Sequence, residues 1–459
     1  MPGPRLSAIH CGVPLAPRER RSRLADIARR PTQTPGRLIS FEWYSAMRGS
    51  ARGAFWSSFA GWSLDAYDYM IFSFAVTAIA ATFGLTRGQT GLIATVTLVV
   101  SAFGGMAAGV LADRIGRVRT LMVTIAFYSV FTLLSGFAQS YEQLLFFRAL
   151  QGLGFGGEWA AGAILVAELS DPVQRGRALG WIQSAWAIGW GLANLAFLIV
   201  FSLDHDKQAW RWLFWLGILP ALLILYVRRT VKEPAVFQET RAAREKPEAG
   251  AERARRQPLA EIFSSGLLKT TLFASLLATG AQGGYYSFTT WLPTYLQTSR
   301  HLSVTGTGAF LFITIAGAFC GYIVSGYVND WIGRRGTFAI YAVASAGMIL
   351  LLTQLPADIL RIVLPLVTFV LGFAASGIFS GFGSYLAELY PTRSRGAGQG
   401  FCYNSGRAVG ALFPTAIGFL SASAGLSGAI AFGAGAYALC LVALLFLPET
   451  KGRELVAID

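Results

Sequence analysis

Apolar runs of roughly 20 residues recur twelve times along this chain, each about the length one helix needs to cross a bilayer. A chain inside lipid must satisfy its own backbone hydrogen bonds, so such runs fold as helices, and several of them make a helical bundle. The spans predicted from them are 55–82, 90–111, 119–138, 143–166, 178–201 and 212–228, then 270–296, 306–328, 337–355, 361–386, 397–421 and 428–447. Amphipathic 3.6-residue stripes are largely missing from these runs, as expected where apolar surroundings lie on all sides. Composition agrees: 54% of residues are hydrophobic and only 14% charged, against about a quarter charged in an ordinary soluble domain. The 52 glycines suit membrane helices, whose backbones approach closely at small residues. The aliphatic and aromatic content excludes a fibrous or disordered chain.

Connections are short except between the sixth and seventh spans. Residues 229–268 carry Lys232-Glu233-Pro234 and a charged run from Arg241 to Arg256 that cannot lie in lipid. The expected organisation is a basic tail over 1–54, a six-helix half over 55–228, a linker over 229–268, a second six-helix half over 269–447 and a tail over 448–459. Residues 1 to about 40 lack the apolar run of a signal peptide, and Met47, shortly before the first span, offers an alternative start.

The formal charge of +14 calls for a partner or an explanation. With odd-numbered helices running outward, most Lys and Arg fall on the cytoplasmic side. The outside holds Arg87, Lys207, Arg211, Arg300 and Arg361, while Arg148 and Arg407 lie within helices. That asymmetry orients the chain with both termini in the cytoplasm, so the basic balance requires no nucleic acid. The four cysteines (Cys11, Cys320, Cys402, Cys440) form neither a disulfide framework nor a zinc spacing. The three histidines fall in loops or the tail, so a proton carrier within the membrane has to be a carboxylate.

An internal repeat reinforces the division into halves. Gly109-Val-Leu-Ala-Asp113-Arg114-Ile-Gly116-Arg117 follows the second span, and Gly326-Tyr-Val-Asn-Asp330-Trp-Ile-Gly333-Arg334-Arg335 follows the eighth, 217 positions later. Glu168 with Arg175-Gly176-Arg177 recurs as Glu388 with Arg395-Gly396, 220 positions later. A parallel six-helix repeat about a central path is a known transporter design.

On these residues the chain resembles the major facilitator superfamily from Trp43 to Glu454. The G-x-x-x-D-R-x-G-R motif is the most specific mark. The reduced second copy, the Arg148-x-x-Gln151-Gly152 start of the fourth span and the closing Pro448-Glu449-Thr450-Lys451-Gly452 also fit. Within that superfamily Leu64-Asp65-Ala66-Tyr67-Asp68, Gly157-Glu158-Trp159 and Asn404-Ser-Gly-Arg407 look like the sialate:proton symporters and their lactate and pyruvate relatives. The aromatic-acid:proton symporters have a similar first-helix segment, and this sequence has Ala66 where glycine is usual. The resemblance implies an all-α membrane protein of twelve transmembrane helices in two pseudo-symmetric halves. It also implies that Asp113, Arg114 and Arg117, with Gly109 and Gly116, and Asp330, Gly333 and Arg334 in the second copy, gate the inward–outward equilibrium. Spacing alone shows a charged turn at each helix end.

A charge in a membrane helix costs a few kcal/mol and needs a reason. Asp65, Asp68, Arg148, Glu158 and Arg407 are the clear cases. Asp65 and Arg407 each lie ~15 Å into their helices, near the midplane where substrate sites of this design are found. Asp65 and Asp68, three apart, share a helix face, and two carboxylates that close resist being ionised together, the property proton coupling requires. A helix cap or a structural ion pair is the other reading. Arg407 offers a forked, permanent cation for a substrate carboxylate, or a counter-ion for Glu158 or Asp68. Glu158 is a second proton site or a partner of Arg148 or Arg407. Arg148 reads as a gating or structural ion pair, as do Glu168, Arg175, Glu388 and Arg395. The glycine run 152–157 lies inside a helix with no strand before it, so close helix packing explains it better than a dinucleotide loop. Gln282, Tyr285 and Tyr286 in the seventh span and Asn404 in the eleventh are candidate hydrogen-bond partners for substrate, with interhelical packing as the alternative. Trp186, Trp190, Asn194 and Tyr403 rank behind them.

The expected function is proton-coupled uptake of a small organic anion of sialate or monocarboxylate type, by alternating access across a bacterial inner membrane. An aromatic-acid porter, a sugar porter and an efflux antiporter of the same fold are the alternatives. A sensor would need a signalling domain, and an enzyme a catalytic constellation that these helices lack. No ATP loop is visible, so an ion gradient drives the cycle. No cofactor or metal is expected; the partners are the anion, protons and the bilayer, with the chain working as a monomer.

Overall fold

The computed structural model describes residues 44, 50–169, 175–204, 206, 208–230, 258–391 and 394–451. The chain divides into Met1–Ser45 and Ala46–Asp459, and the architecture below is that of the second unit. The sequence expectations for residues 1–43 and for 231–257 of the linker lie outside the described residues.

The first half consists of α1 (Ser50–Phe83), α2 (Arg87–Ile115), α3 (Arg117–Ser135), α4 (Tyr141–Leu169), α5 (Arg175–Leu203) and α6. α6 comes in two pieces, Trp210–Trp215 and Ala221–Thr230, joined through the 3-10 turn Leu216–Ile218 next to Pro220. The second half has α7 (Leu268–Thr298), α8 (Val304–Ile332), α9 (Arg334–Gln354) and α10 (Ala357–Gly377), the last continuing through a 3-10 turn into Phe382–Leu389. The final stretch comprises Arg395–Gly410, Leu412–Phe432 and Ala434–Phe446; Gly425, at φ 68°, breaks the middle piece and separates α11 from α12. Among the described residues nine helical stretches are long and apolar enough to cross a membrane, the last of them (Arg395–Phe446) holding both α11 and α12. α4 and α7 complete the twelve. Several helices outrun the apolar runs, α1 beginning at Ser50 and α2 ending at Ile115, because a helix continues beyond the lipid for as long as its own hydrogen bonds hold.

Packing repeats with an offset of six helices. α2 lies on α4 as α8 lies on α10, α1 on α5 as α7 on α11, and α3 on α4 as α9 on α10. The halves meet through the matching pairs α5–α8 and α2–α11. Glycines make the closest of these approaches possible. A Cβ on Gly156 of α4 would lie 1.7 Å from the Ser101 carbonyl oxygen of α2, and one on Gly321 of α8 would lie 2.1 Å from that of Phe373 in α10. The run 152–157 therefore packs helix on helix: Gly152 faces the Thr97 carbonyl and Gly154 the Tyr128 amide.

The turns after α2 and after α8 use glycine for a different reason. Gly116 (φ 110°, ψ 157°) and Gly333 (φ 94°, ψ 170°) adopt almost the same backbone conformation, one that side chains disfavour. We call the end of the bundle that carries these two turns the motif end. Towards the opposite end the halves are fastened together. Thr77 and Thr294 hydroxyls pair at 3.3 Å, and Asn194 Nδ2 donates to the Gly308 carbonyl at 2.9 Å. The Thr95 hydroxyl donates to the Ala411 carbonyl at 2.5 Å and accepts from Thr415 at 2.7 Å. Gly91 and Gly418 seat α2 against α11 backbone to backbone.

Candidate functional site

Asp65 and Asp68 are both fully buried on α1, yet they face different neighbours. Three residues along a helix is a rotation of about 60° away from eclipse, enough to direct them to different surroundings. Asp68 turns into the first half, where the Thr132 hydroxyl of α3 donates a very short hydrogen bond to one carboxylate oxygen. Its electrostatic neighbour is Arg148 of α4. That guanidinium is fully buried and lies over the faces of Phe72 (5.0 Å) and Phe214 (5.7 Å). Its three nitrogens, the second oxygen of Asp68 and the Gln151 amide have no hydrogen-bond partner among the described residues. Opposite charges thus lie near one another in the buried interior of the first half without a hydrogen bond between them. There the charge state of one group governs the comfort of the other.

Asp65 lies within electrostatic reach of Arg407 on α11, in the other half. Glu158 and Asp68 are the counter-ions the sequence offers Arg407; the structure puts Asp68 with Arg148, and the side chain of Glu158 lies outside the described ones. Arg407 is 4% exposed, and its Nε has no hydrogen-bond partner among the described residues. It lies over Phe155 of α4 at 5.7 Å and Tyr403, one turn earlier on α11, at 5.4 Å. From these two rings an aromatic belt runs through both halves. Phe155 stacks on Tyr69 at 6.1 Å, Tyr69 meets Tyr286 at 5.8 Å, and Tyr286 meets Tyr285 at 6.0 Å. Tyr285 meets Phe379 at 5.2 Å, which leads through Phe382 back to Tyr403 at 5.8 Å. Arg407 closes the ring.

The polar groups of the belt are largely engaged. Trp186 Nε1 of α5 donates to the Tyr285 hydroxyl at 2.7 Å, and the Tyr69 hydroxyl pairs with that of Thr290 at 3.3 Å. Gln282 is fully buried, with its amide nitrogen donating to the Tyr403 carbonyl at 2.9 Å and its oxygen accepting from Tyr286 at 3.1 Å. Asn404 donates to Gly400 in its own helix at 3.0 Å and is 8% exposed. The structure therefore brings Arg407, Tyr285 and Tyr286 to one belt, places Asn404 against its own helix and Gly105 of α2, and uses the amide nitrogen of Gln282 to hold α7 on α11 while its oxygen bonds Tyr286 one turn on in α7. Of the second-ranked residues, Trp186 and Tyr403 are in the belt, Asn194 fastens α5 to α8, and Trp190 is packed in the interior. Sequence reasoning missed Tyr69, Phe155 and Phe379. Tyr69 directly follows Asp68 and Phe155 lies within the glycine run, but an aromatic in a membrane helix carries no mark of which way it faces.

A second cluster lies at the motif end. Arg334 grips Glu388 with two hydrogen bonds, of 2.8 and 3.1 Å, and donates to the Asn329 carbonyl at the end of α8. Glu388 also accepts from the Thr450 hydroxyl at 2.5 Å, and Arg395 Nε donates to the Ala387 carbonyl at 2.9 Å. Glu449 receives the backbone amides of Arg334 and Arg335 at the start of α9, each at 3.0 Å, along with those of Thr450 and Lys451. Burial pushes the Glu449 carboxyl up, but these amides outweigh it and hold it below the ordinary carboxylate range. The closing Pro448–Lys451 segment is thus the N-terminal cap of α9. In the first-half copy the side chains of Asp113, Arg114, Arg117, Glu168 and Arg175, and that of Asp330 in the second, lie outside the described ones.

Comparison with known proteins puts this arrangement in a family. The model of the Major Facilitator Superfamily matches residues 58–368. A protein of Cupriavidus pinatubonensis named as a probable 4-methylmuconolactone transporter is 40% identical over 413 residues, covering 90% of this chain and 94% of the relative. A cis,cis-muconate transport protein of Acinetobacter baylyi is 31% identical, covering 87% and 94%, and a sialic acid transporter of Escherichia coli is 26% identical, covering 88% and 95%. Among solved structures, a proton:xylose symporter superposes with a TM-score of 0.68 at 19% identity, over 88% of this chain and 98% of that one. The fold, the family match and the full-length relatives agree: this chain belongs to the Major Facilitator Superfamily and is a multi-pass membrane transporter, not an enzyme.

Proposed function

We propose that the chain takes up a small organic anion together with protons, by alternating access across the bacterial inner membrane. The observation that carries this reading is Arg407. It is a nearly inaccessible guanidinium at the seam between the halves, with a carboxylate of the opposite half, Asp65, as its electrostatic neighbour. A substrate carboxylate can take the fork and relieve Asp65 of that role, which links binding in one half to a charge in the other. Muconate and sialic acid, carried by two relatives, are organic acids.

Asp68 with Arg148 is the second charged pair, confined to the first half. Protonation of Asp68 removes the attraction between the two, so proton binding there changes how α1, α3 and α4 hold together. Asp65 and Glu158 are the other carboxylates proposed to carry protons. The motif end is proposed to be cytoplasmic, following the distribution of Lys and Arg. On that orientation the fastened end is the outer one, and the chain is described in a state closed to the outside. Arg334 with Glu388, and the charges of the first-half copy, then hold the inner ends in one state and release them in the other. An efflux antiporter would use the same charges with the proton moving the opposite way.

The test is transport in proteoliposomes with an imposed proton gradient. Arg407→Ala is expected to abolish uptake of organic anions while the purified protein keeps its thermal transition. Asp68→Asn is expected to abolish gradient-driven accumulation while preserving exchange. Normal accumulation by Asp68→Asn sinks the coupling role, and unchanged anion uptake by Arg407→Ala sinks the binding role.

A further inference from the structure

We propose that α11 is jointed at Ala411–Pro414, and that the Thr95 hydroxyl of α2 is the positioning group that latches this joint while the halves are closed. The hydrogen-bond ladder of α11 is interrupted at Ala411, between the pieces Arg395–Gly410 and Leu412–Phe432. The Ala411 backbone stays in the right-handed helical region (φ −65°, ψ −17°), so the joint lacks hydrogen bonding rather than helical geometry. Pro414 supplies the reason, since it has no amide to give the Gly410 carbonyl four residues back. Thr95 reaches across the seam into this turn. Its hydroxyl donates to the Ala411 carbonyl at 2.5 Å and accepts from the Thr415 hydroxyl at 2.7 Å. One side chain of the first half thereby ties together both ends of the turn that holds Pro414.

The two pieces rest on different halves. Before the joint, α11 packs mainly on α7 of its own half. A Cβ on Gly406 would lie 2.4 Å from that of Ala278, one on Gly410 would lie 2.8 Å from the Gly283 amide nitrogen, and Gln282 donates to the Tyr403 carbonyl. Beyond the joint, α11 packs mainly on α2 of the opposite half, where a Cβ on Gly418 would lie 2.3 Å from the Arg87 carbonyl oxygen. Trp291 of α7 donates to the Pro414 carbonyl at 3.1 Å, which pins the joint itself to its own half. When the halves part at this end, the piece beyond the joint has to leave α2. The interrupted ladder lets that piece bend, while the piece that carries Arg407 stays on α7. Thr95 opposes the bend for as long as its two hydrogen bonds last, and so serves the transport cycle through α11.

The experiment measures distances between pairs of spin labels on the full chain in nanodiscs, with its own cysteines replaced. The labels sit at Gln139 of the first half, at Ser423 near the end of α11 and at Thr305 at the start of α8. Thr95→Val removes both hydrogen bonds and is expected to raise the ratio of long to short Gln139–Ser423 distances about five- to tenfold, the effect of losing a buried hydrogen bond. In the opened population the Ser423–Thr305 distance, which lies within the second half, is expected to change as well. Thr95→Ser should restore the wild-type ratio, and Thr415→Val, which cuts one bond of the two, should give a smaller shift in the same direction. Adding Pro414→Ala to Thr95→Val returns a donor to the Gly410 carbonyl and is expected to hold Ser423–Thr305 at its closed value. Each variant is checked for an intact thermal transition, and Thr415→Val carries the same comparison if Thr95→Val does not keep its own. An unchanged Gln139–Ser423 ratio in the folded valine variant overturns the latch, as does a folded Thr95→Ser that fails to restore it. Opening at a constant Ser423–Thr305 distance overturns the joint, because the halves then part as rigid bodies.

Discussion

Glu449 shows how much one side chain can do at a helix end. Its carboxylate accepts four backbone amides, two of them from the first residues of α9, where the helix leaves its donors unmet and its dipole is positive. Gly333 makes room for it: a Cβ there would lie 2.8 Å from the Glu449 carboxylate, and the backbone is in a glycine-favouring region besides. Because the carboxyl is held below its ordinary value of 4.5, the ionised form is the one that stabilises the fold. The contribution is fully present above the unfolded value and is lost as pH falls through the lower, folded one. Glu449→Gln should therefore lower the melting temperature of the detergent-purified protein at pH 7, with the gap to wild type closing as the pH is taken below about 4.5. A gap that stays constant with pH would mean that the carboxylate is not the cap. The Glu449 motif was visible in the sequence, but its partner was not, since α9 begins over a hundred residues earlier.

At the scale of elements, helix pairing follows from where glycine replaces a side chain. The run 152–157 is legible as close packing because a membrane helix rich in glycine has few other uses for it. The partner helix is not legible: α2, α3 and α5 are all apolar enough to accept it. Gly156 meets Ser101 backbone on α2 so closely that a methyl group cannot be added without separating the helices. Gly156→Ala is expected to destabilise by about 1–3 kcal/mol, the usual cost of overpacking, read as a lower thermal transition. Gly326→Ala, which meets nothing within 4 Å, should leave the transition in place. An unchanged transition in Gly156→Ala would show that α2 and α4 yield more easily than their backbone contact implies. The two aspartates of α1 carry a related lesson. Their spacing reads as a carboxylate pair, but the elements around α1 separate them, Asp68 towards α3 and α4 and Asp65 towards α11.

For the whole molecule the decisive feature among the described residues is closure of the halves away from the motif end. Hydroxyls and glycines fasten the halves away from the motif end, with Thr77 and Thr294 in direct contact across the seam. Cysteines at both positions, oxidised to a disulfide, should trap this state and stop transport, with activity returning on reduction; the side-chain oxygens at 3.3 Å are close enough for a short bond to form after small adjustment. Transport that persists after complete cross-linking would mean that the halves do not part here. Nothing in the sequence marks this pair, because both residues are ordinary threonines in apolar runs.

Run lengths, the internal repeat and the charges within apolar stretches are enough to establish a bundle of membrane helices in two repeated halves, and to mark which charges demand an explanation. Lipid enforces that outcome: run length, the cost of an unpaired charge and the need for internal backbone hydrogen bonds act locally, so they are written locally. Which charge answers which, and that Arg407 closes a ring of aromatics drawn from both halves, emerges from the packing of the helices. Those matters depend on helix rotation and on partners hundreds of residues away, and in an apolar helix nothing in the periodicity marks which face turns inward.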